Sequence, residues 1–141
     1  MTEQLKKEAM MEKIEFEIST RVKEEFIDMT SKVRKIIEDS GIRTGMRTVF
    51  IPHTTAGVTI NENADPSVQS DILNTLRTMV PETLPYTHME GNSPAHVKAS
   101  LMGSSAQIII DEGELVLGTW QGIFFCEFDG PRRRKVYISA G

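Results

Sequence analysis

Three histidines, His53, His88 and His96, are the side chains of this sequence best suited to proton transfer or metal binding near neutral pH. All three fall at predicted element ends or in a long loop, and none lies in a predicted apolar stripe. A single histidine so placed is ordinarily an exposed or capping imidazole; three of them argue against that reading for the whole set. His96 follows Ser93-Pro94, a helix start, so it falls in a first helical turn, where the positive end of the helix dipole disfavours imidazolium. A neutral imidazole there can accept a proton or bind a metal. His88 precedes it across the loop at a spacing that matches no local zinc signature, so a metal site requires convergence in space. Three imidazoles with one open position would make a zinc site of the catalytic type.

Carboxylates, amides and guanidiniums supply the rest of the chemistry. Asn61 and Glu62 end a predicted strand and Asp65 and Asp71 begin the next helix, which gathers polar groups at one rim. Asp65 reads foremost as an N-cap and Asp71 as a solvated residue off the apolar stripe. Asn92 stands between loop and helix, as a turn residue would. GTWQG sets the only tryptophan beside Gln121 between two glycines, which suits a close backbone approach to a ligand or a tight bend. Glu127 interrupts the apolar run IFFCEF, and a carboxylate on a buried strand needs a partner. The candidates are Arg132 and Arg134 in PRRRK, which a strand points to one face, with Arg133 and Lys135 on the other. Two guanidinium forks on one side suit a phosphate or carboxylate ligand; the alternative is a charged edge strand or a subunit salt bridge. No GxxxxGK[ST] or GxGxxG loop is present, so no nucleotide cofactor is indicated.

The elements that must position these groups follow from periodicity. Lys13 to Thr20 alternates apolar and polar residues as a half-buried strand does. Met29, Val33, Ile36 and Ile37 recur at helical spacing, with Asp28 or Thr30 as cap and Gly41 as stop. Strands are expected around Met46 to Ile51 and Thr55 to Asn61, then a helix from Asp65-Pro66 to about Val80. PETLPYTHMEGN is an irregular loop, and a loop of that length in a small domain is more often functional than idle. After the helix from Ser93 to Met102 come four strands, AQIII, ELVLG, GIFFCEF and KVYIS, with turns at Glu112-Gly113 and Asp129-Gly130. The fold class is therefore α+β, an antiparallel sheet carrying two or three helices. The continuous runs Ile108 to Ile110 and Ile123 to Phe125 predict strands covered on both faces, by a second sheet layer or a homo-oligomer contact.

With 141 residues the chain fits one domain, residues 12–141, preceded by a charged, Met-rich extension at 1–11. Sixteen Lys+Arg against twenty Asp+Glu leave a net charge of -4, which gives no overall preference for nucleic acid or an anionic membrane. No run is apolar enough to span a bilayer or serve as a secretion signal, so a cytoplasmic location is expected. The single cysteine, Cys126, excludes an internal disulfide and reads as a small buried residue.

The blocks HTTAGVTINENAD, the following Asp71, YTHMEGNSPAHVKASLMG and GELVLGTWQGIFFCEFDGPRRRKVYI, in this order, resemble the YjbQ-like family of secondary thiamine-phosphate synthases from about Glu12 to Gly141. NSPAH stands where many members read NAxAH, which leaves the polar positions intact. The resemblance implies an antiparallel β-sandwich-like core with flanking helices, commonly a homotrimer, whose polar blocks meet in a cleft near subunit contacts. It also implies a transferase joining a pyrimidine-methyl pyrophosphate to a thiazole phosphate. On that expectation His53, Asp71, His96 and Glu127 are the catalytic candidates, and Asn61, Asn92, Gln121, Arg132 and Arg134 bind the small phosphorylated substrate. His53, His88 and His96 are the candidate ligands of a divalent metal, zinc or magnesium. The other reading is a metal- or small-anion-binding homotrimer.

Overall fold

The computed structural model describes residues 13–139, so the extension at 1–11 lies outside the described residues. Among the described residues eight strands and three helices follow one another: β1 (Lys13–Ser19), β2 (Glu25–Asp28), α1 (Thr30–Ser40), β3 (Gly45–Phe50), β4 (Ala56–Glu62), α2 (Pro66–Met79), α3 (Ser93–Met102), β5 (Ser105–Asp111), β6 (Glu114–Leu115), β7 (Gln121–Glu127) and β8 (Arg133–Ser139). They form two antiparallel sheets, one ordered β1-β8-β3-β5-β6 and one ordered β2-β7-β4. The second layer expected from the apolar runs is therefore the second sheet.

Period-two burial explains the packing between the sheets. Phe16, Val49, Ile108, Ile110, Val136 and Ile138 of the larger sheet meet Val58, Ile123 and Phe125 of the smaller, and Met29, Val33 and Ile37 bring α1 into the same core. The opposite face of β7 presents Phe124 and Cys126 to a second apolar cluster that includes Leu76 of α2 with Ala95 and Ala99 of α3. Thus β7 is covered on both faces, as its run predicts. The run Ile108 to Ile110 is not: Ile109 is 51% exposed, because among the described residues no helix packs over the outer face of the larger sheet. Phe50 stacks on Tyr137 on that outer face.

Local signals place the helix ends. The Asp65 carboxylate accepts from the Ser67 amide at 2.9 Å and Pro66 opens α2. Asn92, not Ser93, occupies the N-cap position of α3, and it makes no side-chain cap bond. Gly41 ends α1 at φ 75°, the left-handed conformation that glycine adopts without a Cβ penalty. Residues Glu25–Asp28 form β2, a strand too short to show a period in the sequence, and one expectation is corrected: ELVLG is a strand only at Glu114–Leu115, after which the Val116 amide still bonds the Ile109 carbonyl at 2.8 Å. The N-cap position of α1 is Met29, not Asp28 or Thr30, and it makes no side-chain cap bond; Asp28, one residue earlier, accepts from the amide and hydroxyl of Thr30 at 2.9 and 2.6 Å. Burial pushes the Cys126 thiol above its ordinary range, in keeping with a packed residue and not a reactive one. Among the described residues no helix is long and apolar enough to cross a membrane.

Candidate functional site

β4 and β7 run antiparallel with Ala56 opposite Glu127 and Glu62 opposite Gln121. At about 3.3 Å per residue these two ends lie roughly 20 Å apart. The register divides the expected site residues. His53, Glu127 and Arg134 gather at the Ala56 end, whereas Asn61 and Gln121 belong to the Glu62 end. Asn61 Oδ1 accepts from the Glu62 amide at 2.7 Å, and Gln121 Oε1 accepts from the Gly118 amide at 2.7 Å, which closes the GTWQ turn beside the exposed Trp120. Asp71 is exposed on α2. A single chain therefore does not bring Asn61 and Gln121 to the histidines, because antiparallel pairing over a whole strand length separates them, and Asp71 borders none of the hollows described below.

Three adjoining hollows form a groove at the Ala56 end. One, of about 500 Å³, is bordered by His53, Thr54, Ser104, Arg132 and Arg134. The next, of about 460 Å³, shares His53, Thr54 and Ser104 and adds Ser100 and His96. The third, of about 840 Å³, runs from His96 along the loop past Tyr86, His88 and Met89. Thr54 stands in the HTTA block and Ser104 outside every block, and neither is among the expected site residues. Neither carries a spacing signal, and they meet only because the Ile51 amide bonds the Ser104 carbonyl at 2.7 Å.

A buried ion pair floors the first hollow. Glu127 is fully buried and receives Arg134 through Nε at 2.9 Å and through a short contact with Nη2. Thr20 Oγ1 donates to its Oε1 at 2.7 Å and the Asp129 amide to its Oε2 at 3.1 Å. Arg134 Nη2 also reaches Thr55 Oγ1 at 2.9 Å. The expectation of two free guanidinium forks is thereby corrected: Arg134 is 2% exposed, and only Nη1 is left for the hollow it borders. Glu127, expected as a catalytic carboxylate, spends its lone pairs on that pair and on Thr20. A buried charge is tolerated only when so matched, which is why this pair is internal.

Arg132 is the available cation, its side chain 50% exposed and paired with Asp129 at 3.0 Å. Asp129 also accepts from Asn92 Nδ2 at 2.9 Å, so the start of α3 is tied to the β7–β8 turn. Asn92 Oδ1 is buried without a protein partner, so in this arrangement Asn92 braces Asp129 and its amide oxygen does not reach the groove. A second buried cation escaped sequence reasoning. Lys98 is 2% exposed and donates to Glu24 at 2.7 Å, while Arg77 donates to the same carboxylate at 2.8 Å. Burial alone would raise the Glu24 carboxyl, but the Lys98 and Arg77 bonds hold it below its usual value. The available signal was a lysine on the small-residue face Ala95, Lys98, Ala99 of α3.

The histidines do not form one metal set. His88 and His96 pack edge to face with ring centroids 5.2 Å apart. His53 is engaged elsewhere: its Nε2 accepts the Lys135 amide at 2.8 Å. Among the described residues no group of three or more His, Cys, Asp or Glu is arranged to hold a metal ion. A three-imidazole zinc site therefore does not fit the donors of one chain.

Burial lowers the His53 imidazole below its ordinary pKa, and the Arg134 guanidinium lowers it further. A base whose folded value is depressed adds full stability above its unfolded value of about 6.5, and that stability is lost as pH falls through the folded value. Urea unfolding of the wild-type protein and of His53→Gln, compared at about pH 8 and about pH 5, should show the wild type losing more stability on acidification. Equal losses would mean that His53 is not held neutral.

Comparison with known proteins agrees with this architecture. A family model described as UPF0047 protein YjbQ-like matches residues 14–140. A UPF0047 protein of Methanocaldococcus jannaschii is 53% identical over 123 residues, covering 87% of this chain and 89% of the relative. The UPF0047 protein YugU of Bacillus subtilis is 50% identical, with 86% and 93% coverage. A crystal structure of an uncharacterized YjbQ/UPF0047 protein from Clostridium acetobutylicum superposes with a TM-score of 0.86 at 59% identity, covering 89% of this chain and 97% of that one. A YbjQ-like protein of unknown function from Sulfolobus solfataricus superposes equally well, at a TM-score of 0.86 and 33% identity, with 90% and 94% coverage.

Proposed function

The chain belongs to the YjbQ-like UPF0047 family, and from that premise we propose that it acts on a small phosphorylated molecule seated in the groove between Arg132 and the His88–His96 pair. The observation that carries this reading is that neighbouring hollows share their walls: His53, Thr54 and Ser104 border both the guanidinium-lined hollow and the next, and His96 borders that one and the loop-lined hollow. Such a shape suits a phosphate at one end and a heterocycle at the other.

The reaction we assign to it is thiamine-phosphate synthase-like transfer. The thiazole nitrogen gives its lone pair to form a C–N bond with the methylene carbon, and the C–O bond to pyrophosphate breaks with its electron pair leaving on oxygen. No proton need move in that step. What the protein must supply is orientation and stabilisation of the charge that develops on the leaving group. Arg132 and the hydroxyls of Thr54 and Ser104 are the groups available for this. His96 and His88 would line the ring. A homotrimer in which a second copy brings its Asn61 and Gln121 end to this groove would supply the missing amides, through a head-to-tail contact of the kind that closes a ring. No metal is invoked, since His53 is engaged and His88 with His96 make only two donors.

The other reading is a small-anion-binding homo-oligomer without turnover, in which Arg132 and the hydroxyl side chains bordering the same hollow hold an anion and do no chemistry. Purified protein supplied with both precursors decides between them. The transfer reading expects thiamine phosphate, with Arg132→Ala lowering kcat/KM about tenfold, the effect of losing one charge-assisted hydrogen bond. Pyrophosphate binding without product would select the binding module.

A further inference from the structure

We propose that His53 is a neutral hydrogen-bond donor with its proton locked on Nδ1, which positions a phosphate oxygen beside Arg132 and serves as neither general base nor metal ligand. The phosphate half of this inference rests on the phosphorylated-ligand reading given above; the tautomer half stands on the protein alone.

Val49 pairs with Ile138 and Phe50 with Tyr137, so the ladder, if continued, would set Pro52 opposite Lys135. Proline has no amide hydrogen to give, and the chain instead turns away as the Ile51 amide bonds Ser104. The Lys135 amide on the inner strand β8 is thus left without a ladder acceptor. His53 supplies one: Nε2 accepts from it at 2.8 Å.

A backbone amide is a donor and nothing else. Nε2 must therefore present its lone pair, and in a neutral imidazole the proton then resides on Nδ1. Both alternatives are closed by the same bond. A base acting through Nε2, or a metal bound there, would have to break the bond that Nε2 accepts from the Lys135 amide. A base or metal at Nδ1 would need Nε2–H, which would point one hydrogen at another.

Nδ1 has no acceptor among the described residues, and it is not among the buried unpartnered atoms. It therefore meets solvent. His53 borders the two hollows that share Thr54 and Ser104, so that solvent belongs to the groove. Arg132 and Arg134 border the first of them. An N–H donor beside a guanidinium matches an oxygen of phosphate and adds no second positive charge.

Imidazole nitrogen spectra of 15N-labelled protein test this directly, with His53 identified by its loss in His53→Gln. The expected spectrum has a protonated Nδ1 and an unprotonated Nε2 between about pH 6.5 and 8.5. Adding one equivalent of Zn2+ should leave both signals in place, and inorganic phosphate should move Nδ1. His53→Gln offers an amide oxygen to Lys135 and removes the Nδ1 donor. It should melt near the wild type yet bind phosphate about tenfold more weakly, the loss of one hydrogen bond to a charged group. A proton on Nε2, or a Zn2+ shift at His53, would overturn the assignment. Wild-type phosphate affinity in His53→Gln would overturn the positioning role. A locked Nδ1 proton in a protein that binds no phosphate would sink the phosphorylated-ligand reading and leave the tautomer assignment intact.

Discussion

Glu127→Ala is expected to destabilise the domain by about 3–5 kcal/mol, because it strands the Arg134 guanidinium in the core with no counter-charge. Glu127 and Arg134 are 0% and 2% exposed, so water cannot replace the lost carboxylate. Thr20 and the Asp129 amide lose their acceptor in the same change. Urea unfolding is the appropriate measurement, and a melting temperature lower by on the order of 10 °C should accompany it. The double variant Glu127→Met with Arg134→Met should recover much of the loss, since removing both charges leaves nothing unpaired. A loss below about 1 kcal/mol for Glu127→Ala would show that the pair is hydrated in solution and does not form the dry floor of the groove. The effect on ligand binding should follow the fold, because β7 and β8 carry Arg132 between them.

The second large effect is expected at Gly57. A Cβ built there would lie 2.6 Å from the Gly103 carbonyl oxygen and 3.2 Å from Met102 Cβ, contacts that only a backbone movement relieves. Gly57 sits on β4 where α3 crosses, and the Val58 amide bonds the Gly103 carbonyl at 3.1 Å. Gly57→Ala should therefore cost about 1–3 kcal/mol by overpacking. It should also displace α3, which carries His96 and Ser100 into the groove beside Ala56. We expect phosphate or pyrophosphate affinity to fall in this variant even at temperatures where it remains folded. Affinity equal to the wild type in a destabilised but folded Gly57→Ala would mean that α3 does not shape the binding site.

Several parts of this molecule were legible from residues alone because their causes are local. Asp65-Pro66 starts α2 through a side chain that bonds an amide two residues on, and Gly41 stops α1 by a conformation open to glycine. Alternation in KIEFEIS and in the β8 segment marks strands whose inner residues reach one core. The need of Glu127 for a partner was likewise readable, as was the short list that contained Arg134, because burial of a carboxylate imposes the requirement wherever the strand lies.

What the amino-acid sequence determined by itself was the inventory: the α+β class, the family blocks, and the histidines, amides and arginines available to a site. Which of them meet was decided by the tertiary structure. Strand register, a long-range property, sets Ala56 against Glu127 and Glu62 against Gln121, and so parts Asn61 and Gln121 from the histidines by roughly the length of a strand. The same distant pairing leaves the Lys135 amide waiting for His53 and makes Lys98 the partner of Glu24. Local propensity depends on neighbours a few residues away; these bonds join residues 74 and 82 positions apart, and only the packed sheets bring such positions within hydrogen-bond reach.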